Sequence, residues 1–322
     1  MSNPAAFKAL LNLETPLVQG PMGGISGPEL VAAVANAGAL GVLPIWVAEL
    51  ADASRLIRLT AGRTGRPFGV NLRADLQQLG HVSLALDEGI ELFHLFWGDP
   101  GPTATHLHAR GGRFIATVGD AEAAMRALDA GAIALVAQGV EAGGHVLSEL
   151  PSEVLLPAVV SVAGTVPVVA AGGIACPADA EAALGLGASA VLCGSRFVAS
   201  VESGAHDVYK AAMVSAGANA TARSVCYDLG WADAPHRTLV NDTHRMWDAA
   251  GRPPVGERPG EGDVLFRTAN GADIPRYFVL PPGQGMEGDL TEGAMYAGTG
   301  VERIEAVLTV AEIVSRFDQV LS

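Results

Sequence analysis

Five short motifs in this sequence carry residue types that could do chemistry. His145 closes the run Gln138-Gly139-Val140-Glu141-Ala142-Gly143-Gly144-His145. A histidine after two glycines can come close to a bound molecule and offer a nitrogen that takes up a proton near neutral pH. Gly172-Gly173 follows the apolar run Pro167–Ala171, and Gly194-Ser195 follows Ala190–Cys193. Glycines there let backbone N–H groups approach a phosphate, a following helix start adds positive dipole, and Ser195 adds a hydroxyl donor. Gln19-Gly20-Pro21-Met22-Gly23 and Gly69-Val70-Asn71-Leu72 complete the set. For any one glycine the plainer reading is a tight turn, and for a lone histidine a structural role. Two such glycine loops together point to phosphate binding.

Other candidates carry less. His106-x-His108 suggests a metal, but in a helix positions i and i+2 point apart, so no metal is expected. Glu141 is expected to orient its loop rather than move protons. His236 and His244 read as surface or packing residues, and Phe96 and Trp97 as pocket wall or core.

The elements that must position these residues are short apolar strands alternating with helical patterns. Eight strands are predicted: Leu17–Gly20, Leu40–Ile45, Phe68–Leu72, Glu91–Trp97, Arg113–Val118, Ala132–Gln138, Pro167–Ala171 and Ala190–Cys193. Helices are clearest at Pro28–Ala37, Asp120–Ala130, Ser152–Ala163 and Pro177–Leu186, with a last one at about Val301–Val320. This alternation implies a parallel sheet, and eight strands suggest closure into a (β/α)8 barrel. An open doubly wound sheet is the competing architecture, but the turn after the first strand lacks GxGxxG spacing. In a barrel the motifs fall on the loops at the C-terminal strand ends, where active sites lie. From about 204 to 289 the alternation fades. That stretch reads as a helical and irregular insertion covering the barrel mouth, within a single domain spanning 1–322.

Composition narrows the function classes. The chain has 322 residues, 49% hydrophobic and 17% charged, with 40 Gly and a formal net charge of −14. An acidic surface without basic runs argues against nucleic acid and anionic membranes as partners. Three cysteines, none in a CxxC pair, suit a reducing compartment, and a cytoplasmic location is expected. The start lacks a basic, then apolar, signal sequence. The uncharged stretches Leu30–Ala48 and Val154–Ala178 are broken by Gly and Pro and read as helix–turn–strand, not spans. The sequence is compatible with a homo-oligomer.

QGPMGG at 19–24, FGVNL at 68–72, AQGVEAGGH at 137–145, PVVAAGGI at 167–174 and GSRF at 194–197 closely resemble nitronate monooxygenases. Met295-Tyr296-Ala297-Gly298-Thr299-Gly300 resembles that family's YAGQ-type segment, and the resemblance runs from about Thr15 to Leu308. It implies FMN, a TIM barrel, no metal, and oxidation of small alkyl nitronates by dioxygen to a carbonyl compound and nitrite. It assigns phosphate contacts to Gly172, Gly173, Gly194 and Ser195, and contacts to the ring or ribityl chain to Asn71 and Gln138. Pro21, Met22 and Gly23 are placed at the ring edge, Gly143 and Gly144 near the cofactor, and His145 as the catalytic base or donor. Departures lie on the substrate side: Val146-Leu147 follows the histidine where many members have Arg-Gly, Phe96-Trp97-Gly98 replaces His-Phe-Gly, and Thr299 replaces the glutamine. Two alternatives remain: an FMN-dependent, NAD(P)H-using enoyl or quinone reductase, and a non-catalytic flavin-binding pathway protein.

Overall fold

The computed structural model describes residues 3–321. Its strands are β1 (Leu17–Gln19), β2 (Val42–Pro44), β3 (Gly69–Arg73), β4 (Leu92–Phe96), β5 (Arg113–Val118), β6 (Ala134–Gln138), β7 (Gly144–His145), β8 (Val168–Ala171) and β9 (Ala190–Cys193). All but β7 form one parallel sheet in the order β1-β9-β8-β6-β5-β4-β3-β2. A parallel bridge between Val18 and Leu40 closes the ring, with Leu40 N–H donating to Leu17 O and Gln19 N–H to Leu40 O. The fold is the (β/α)8 barrel expected, with each strand within two residues of its predicted ends.

Strand alternation sorts the side chains into two cores. Leu17, Leu43, Val70, Phe93, Phe114, Leu135 and Val191 point outward and pack under the helices. Val18, Val42, Leu92, Ile115, Ala134, Val169 and Ala190 point inward and meet Phe7 and Leu11 of the helix Pro4–Leu11, which plugs one end of the barrel. Inward alanines leave that interior narrow and filled, as this fold requires. Asp120 caps the helix Ala121–Asp129 by accepting from Ala123 N–H at 2.7 Å.

Two expectations are corrected. The stretch after 204 is richer in strands than expected. It holds the helices Asp207–Ser215 and Asp242–Ala249 and two small sheets. In one, β10 (Thr221–Ser224) and β11 (His236–Leu239) join β7 of the barrel loop; the other comprises β12 (Val264–Arg267), β13 (Asp273–Pro275) and β14 (Glu287–Gly288). Strands of two to four residues are too short to leave a periodic trace in sequence. The last helix begins at Val310, not near 301. Thr309 and Glu312 exchange side-chain and backbone hydrogen bonds that start it there. Residues Thr299–Arg303 form a 3-10 turn instead.

Candidate active site

At the C-terminal strand ends lies a cavity of about 420 Å³. Its floor is the top layer of the barrel interior: Asn71, His94, Thr117, Val136, Gln138, Ala171 and Leu192. Pro21, Met22, Gly23, Asn71, Gln138, Gly143, Gly144, His145, Gly172, Gly173, Gly194 and Ser195 all line this one space. Residues up to 174 positions apart in sequence therefore meet because the barrel gathers the loop ends.

On one side lie the two glycine loops. Gly172 and Gly173 have φ of +113° and +70°, a backbone that L side chains rarely adopt. Gly194 precedes the short helix Ser195–Val198, and a Cβ there would meet only Met22 Sδ, at 4.0 Å. Among the described residues, the N–H groups of Gly172, Gly173, Gly194 and Ser195 donate to no protein acceptor. Ser195 Oγ accepts from Gly298 N–H at 2.9 Å. Free donors on two adjacent loops suit an anionic group.

The floor is polar where the strands end. Asn71 donates to His94 O at 2.8 Å, and His94 Nε2 meets Thr117 Oγ1 at 2.7 Å. Gln138 Nε2 donates to His145 O at 3.2 Å, which fixes the loop, while Gln138 Oε1 and His94 Nδ1 are buried without a partner. Such orphaned polar atoms at a cavity floor are costly unless a ligand satisfies them. Burial pushes the His94 pKa down to about 4.

His145 lines the same cavity from β7, on the loop after β6, held by pairing with His236 and by Val146 N–H donating to Pro235 O. Gly143 lets the loop run against the 297–298 backbone: a Cβ there would lie 2.5 Å from Gly298 N. Glu141 accepts from Ser152 N–H and Oγ–H, so it anchors the loop to the next helix. The His145 ring is half-buried, and Nε2 is buried with no partner. Its pKa lies well below the ordinary value, because of burial first, then His236 and Arg73. This corrects the expectation of a histidine titrating near neutral pH: the imidazole is neutral across that range.

His236 and His244 are buried packing residues, not surface ones. His236 Nδ1 meets Ala234 O and Nε2 accepts from Tyr227 N–H, and burial lowers its pKa to about 4. His106 bonds Ser83 Oγ and His108 packs near Phe114, far apart in role. Sequence reasoning missed Arg73, His94, Thr117, Trp46 and Trp231. Arg73, paired with Asp75 at 2.6 Å, lies over the Trp231 ring. Trp97, at φ +61°, lies 6.1 Å from His145 and 5.0 Å from Trp231. For His94 and Thr117 a signal existed: polar residues at inward positions of otherwise apolar strands.

The sequence model of the nitronate monooxygenase family matches residues 5–88 and 76–319. A Pseudomonas aeruginosa nitronate monooxygenase is 34% identical over 79% of this chain and 84% of its own length. A (3aS,4S,5R,7aS)-5-hydroxy-7a-methyl-1-oxo-octahydro-1H-indene-4-carboxyl-CoA dehydrogenase of Mycobacterium tuberculosis is 36% identical over 76% of this chain and 68% of its own. The structure of FabK from Thermotoga maritima superposes with a TM-score of 0.82 at 29% identity, covering 98% of this chain and 95% of that one. No helix among the described residues is long and apolar enough to cross a membrane. On the family match and these likenesses, the chain belongs to the nitronate monooxygenase family of oxidoreductases.

Proposed function

We propose that this protein is an FMN-dependent oxidoreductase that oxidises small alkyl nitronates with dioxygen to a carbonyl compound and nitrite. One observation carries the reading: free N–H donors on two glycine loops and an unpartnered His145 line a single cavity. The residues present fit a flavin mononucleotide. Gly172, Gly173, Gly194 and Ser195 would hold the phosphate, and Asn71 and Gln138 the ring or ribityl chain. Gln138 Oε1 is an acceptor without a protein donor. Pro21, Met22 and Gly23 would lie at the ring edge, with Gly143 and Gly144 closing the other side. Bound FMN supplies the electron chemistry between substrate and dioxygen.

The protein's own part is binding, orientation and exclusion of water. His145 Nε2 has no protein partner, so it can donate to or accept from a substrate oxygen or carbon acid. A nitronate is already an anion and needs no proton removed. Neutral His145 then acts as a hydrogen-bond donor that orients it. With a neutral nitroalkane the same nitrogen must take the proton.

A second reading is favoured by one observation as well. A neutral imidazole with a free nitrogen can donate a hydrogen bond to the oxygen of a quinone or enoyl acceptor, which would hold that acceptor for an NAD(P)H-using reductase. The test is oxygen uptake and nitrite release by the purified yellow protein with propionate 3-nitronate, against NAD(P)H oxidation with quinone or enoyl acceptors. Nitronate-dependent oxygen uptake without NAD(P)H supports the first reading. NAD(P)H oxidation with an inert nitronate overturns it in favour of the second.

A further inference from the structure

Trp231 belongs to the stretch between β10 and β11, yet it reaches into the barrel mouth and lines the cavity. Its ring stacks on His145, with centroids 3.9 Å apart and planes 21° apart. The Arg73 guanidinium lies 3.5 Å from the same ring centroid. Both groups are too close to share a face, so the indole is sandwiched between imidazole and guanidinium. Trp46, Phe96 and Trp97 surround its edges at 5.4, 6.2 and 5.0 Å.

Three features separate Trp231 from an ordinary core tryptophan. A buried indole N–H usually finds an acceptor. Trp247 does so, donating to Pro253 O at 3.0 Å. Trp231 Nε1 makes no hydrogen bond to the described residues and is left accessible, although the residue as a whole is only 8% exposed. Its backbone turns through left-handed positions, Gly230 at φ +99° and Asp233 at φ +53°, outside any strand or helix. Finally, it covers the one side chain placed to act on substrate.

We propose that Trp231 is the size-selecting residue of this site: its indole covers His145 and takes up the space that a bulky substrate group would need. This rests on the reading that His145 acts on the substrate. Compact substrates fit beside the indole, and bulky ones require that space. Hydrophobic pockets discriminate in this way by about tenfold or more per missing or added group.

The test uses the full-length flavoprotein as purified, with Trp231→Leu and, in case the leucine variant fails to fold, Trp231→Phe. The first arm compares kcat/KM for the nitronate of nitrocyclohexane with that for ethyl nitronate. Trp231→Leu should raise the ratio by about tenfold or more through KM, and Trp231→Phe should raise it less. The second arm needs no turnover: carbethoxylation of His145 by diethylpyrocarbonate, followed by peptide mass spectrometry, with His81 and His106 as internal references. Labelling of His145 alone should accelerate in the variants. An unchanged substrate ratio, or unchanged His145 labelling, overturns the proposal. If wild type turns over no nitronate, the functional reading fails separately, and the labelling arm still decides whether Trp231 covers His145.

Discussion

Gly194→Ala separates a ligand role from a folding role at the glycine loops. The added methyl would meet only Met22 Sδ at 4.0 Å, and φ is −100°, which alanine adopts freely. Folding should be unchanged or gain about 0.4–1 kcal/mol from a stiffer unfolded chain. The same methyl, however, stands in the cavity that Gly194 lines. Holding a phosphate away from even one N–H donor loses about 1.5–3 kcal/mol, the range for hydrogen bonds to charged groups. That converts to about 10- to 150-fold in Kd. The assay is titration of FMN into deflavinated protein, followed by quenching of flavin fluorescence, beside a thermal melt. Gly143→Ala gives the contrast: its methyl would lie 2.5 Å from Gly298 N and 2.6 Å from Ala297 C. Backbone must shift there, and overpacking should cost about 1–3 kcal/mol of stability. Wild-type FMN affinity in a stable Gly194→Ala protein would refute the phosphate assignment.

Two further predictions concern protons. His94 and His236 have folded pKa values of about 4, below the unfolded value near 6.5. The unfolded chain therefore binds more protons between those values, and stability falls as pH drops from about 6.5 to 4, by about 1.4 kcal/mol per pH unit for each histidine. Urea midpoints at pH 7 and 5 should show this, with a shallower slope in His94→Gln; equal midpoints would contradict it. Turnover of a neutral nitroalkane should be flat through pH 6–7.5 and fall only in more acid solution, because His145 is neutral there. An inflection near 6.5 that disappears in His145→Ala would show that the ring is not shielded as described.

The barrel was legible because both of its periods are written in the chain. Apolar strands with inward alanines, such as Ala134, Ala171 and Ala190, alternate with helices whose starts carry cap residues such as Asp120. The glycines of the site were legible for a related reason: close approach and positive φ restrict those positions, as at Gly172 and Gly143. The mouth was not legible. Strands β10 to β14, of two to four residues each, are too short to show alternation. Trp231 carries no local motif; its importance comes from tertiary contacts with Arg73 at the end of β3, Trp46 after β2 and His145 in β7, all distant in sequence. The start of the last helix was readable after all in Thr309-Val310-Ala311-Glu312, a serine/threonine-to-glutamate spacing that reciprocally caps a helix. The charge state of His145 could not be read from its motif, since burial and two neighbours set it.

The most direct test of the account is kcat per bound FMN in His145→Ala, measured with a nitronate and with its parent nitroalkane. The phosphate side of the cavity is built from other loops, so the variant should keep its flavin. A positioned acid–base group contributes about 10²–10⁴-fold; the neutral nitroalkane, which must lose a proton, should suffer that loss, and the pre-formed anion a smaller one. A per-flavin rate equal to wild type with both substrates would contradict the catalytic placement of His145.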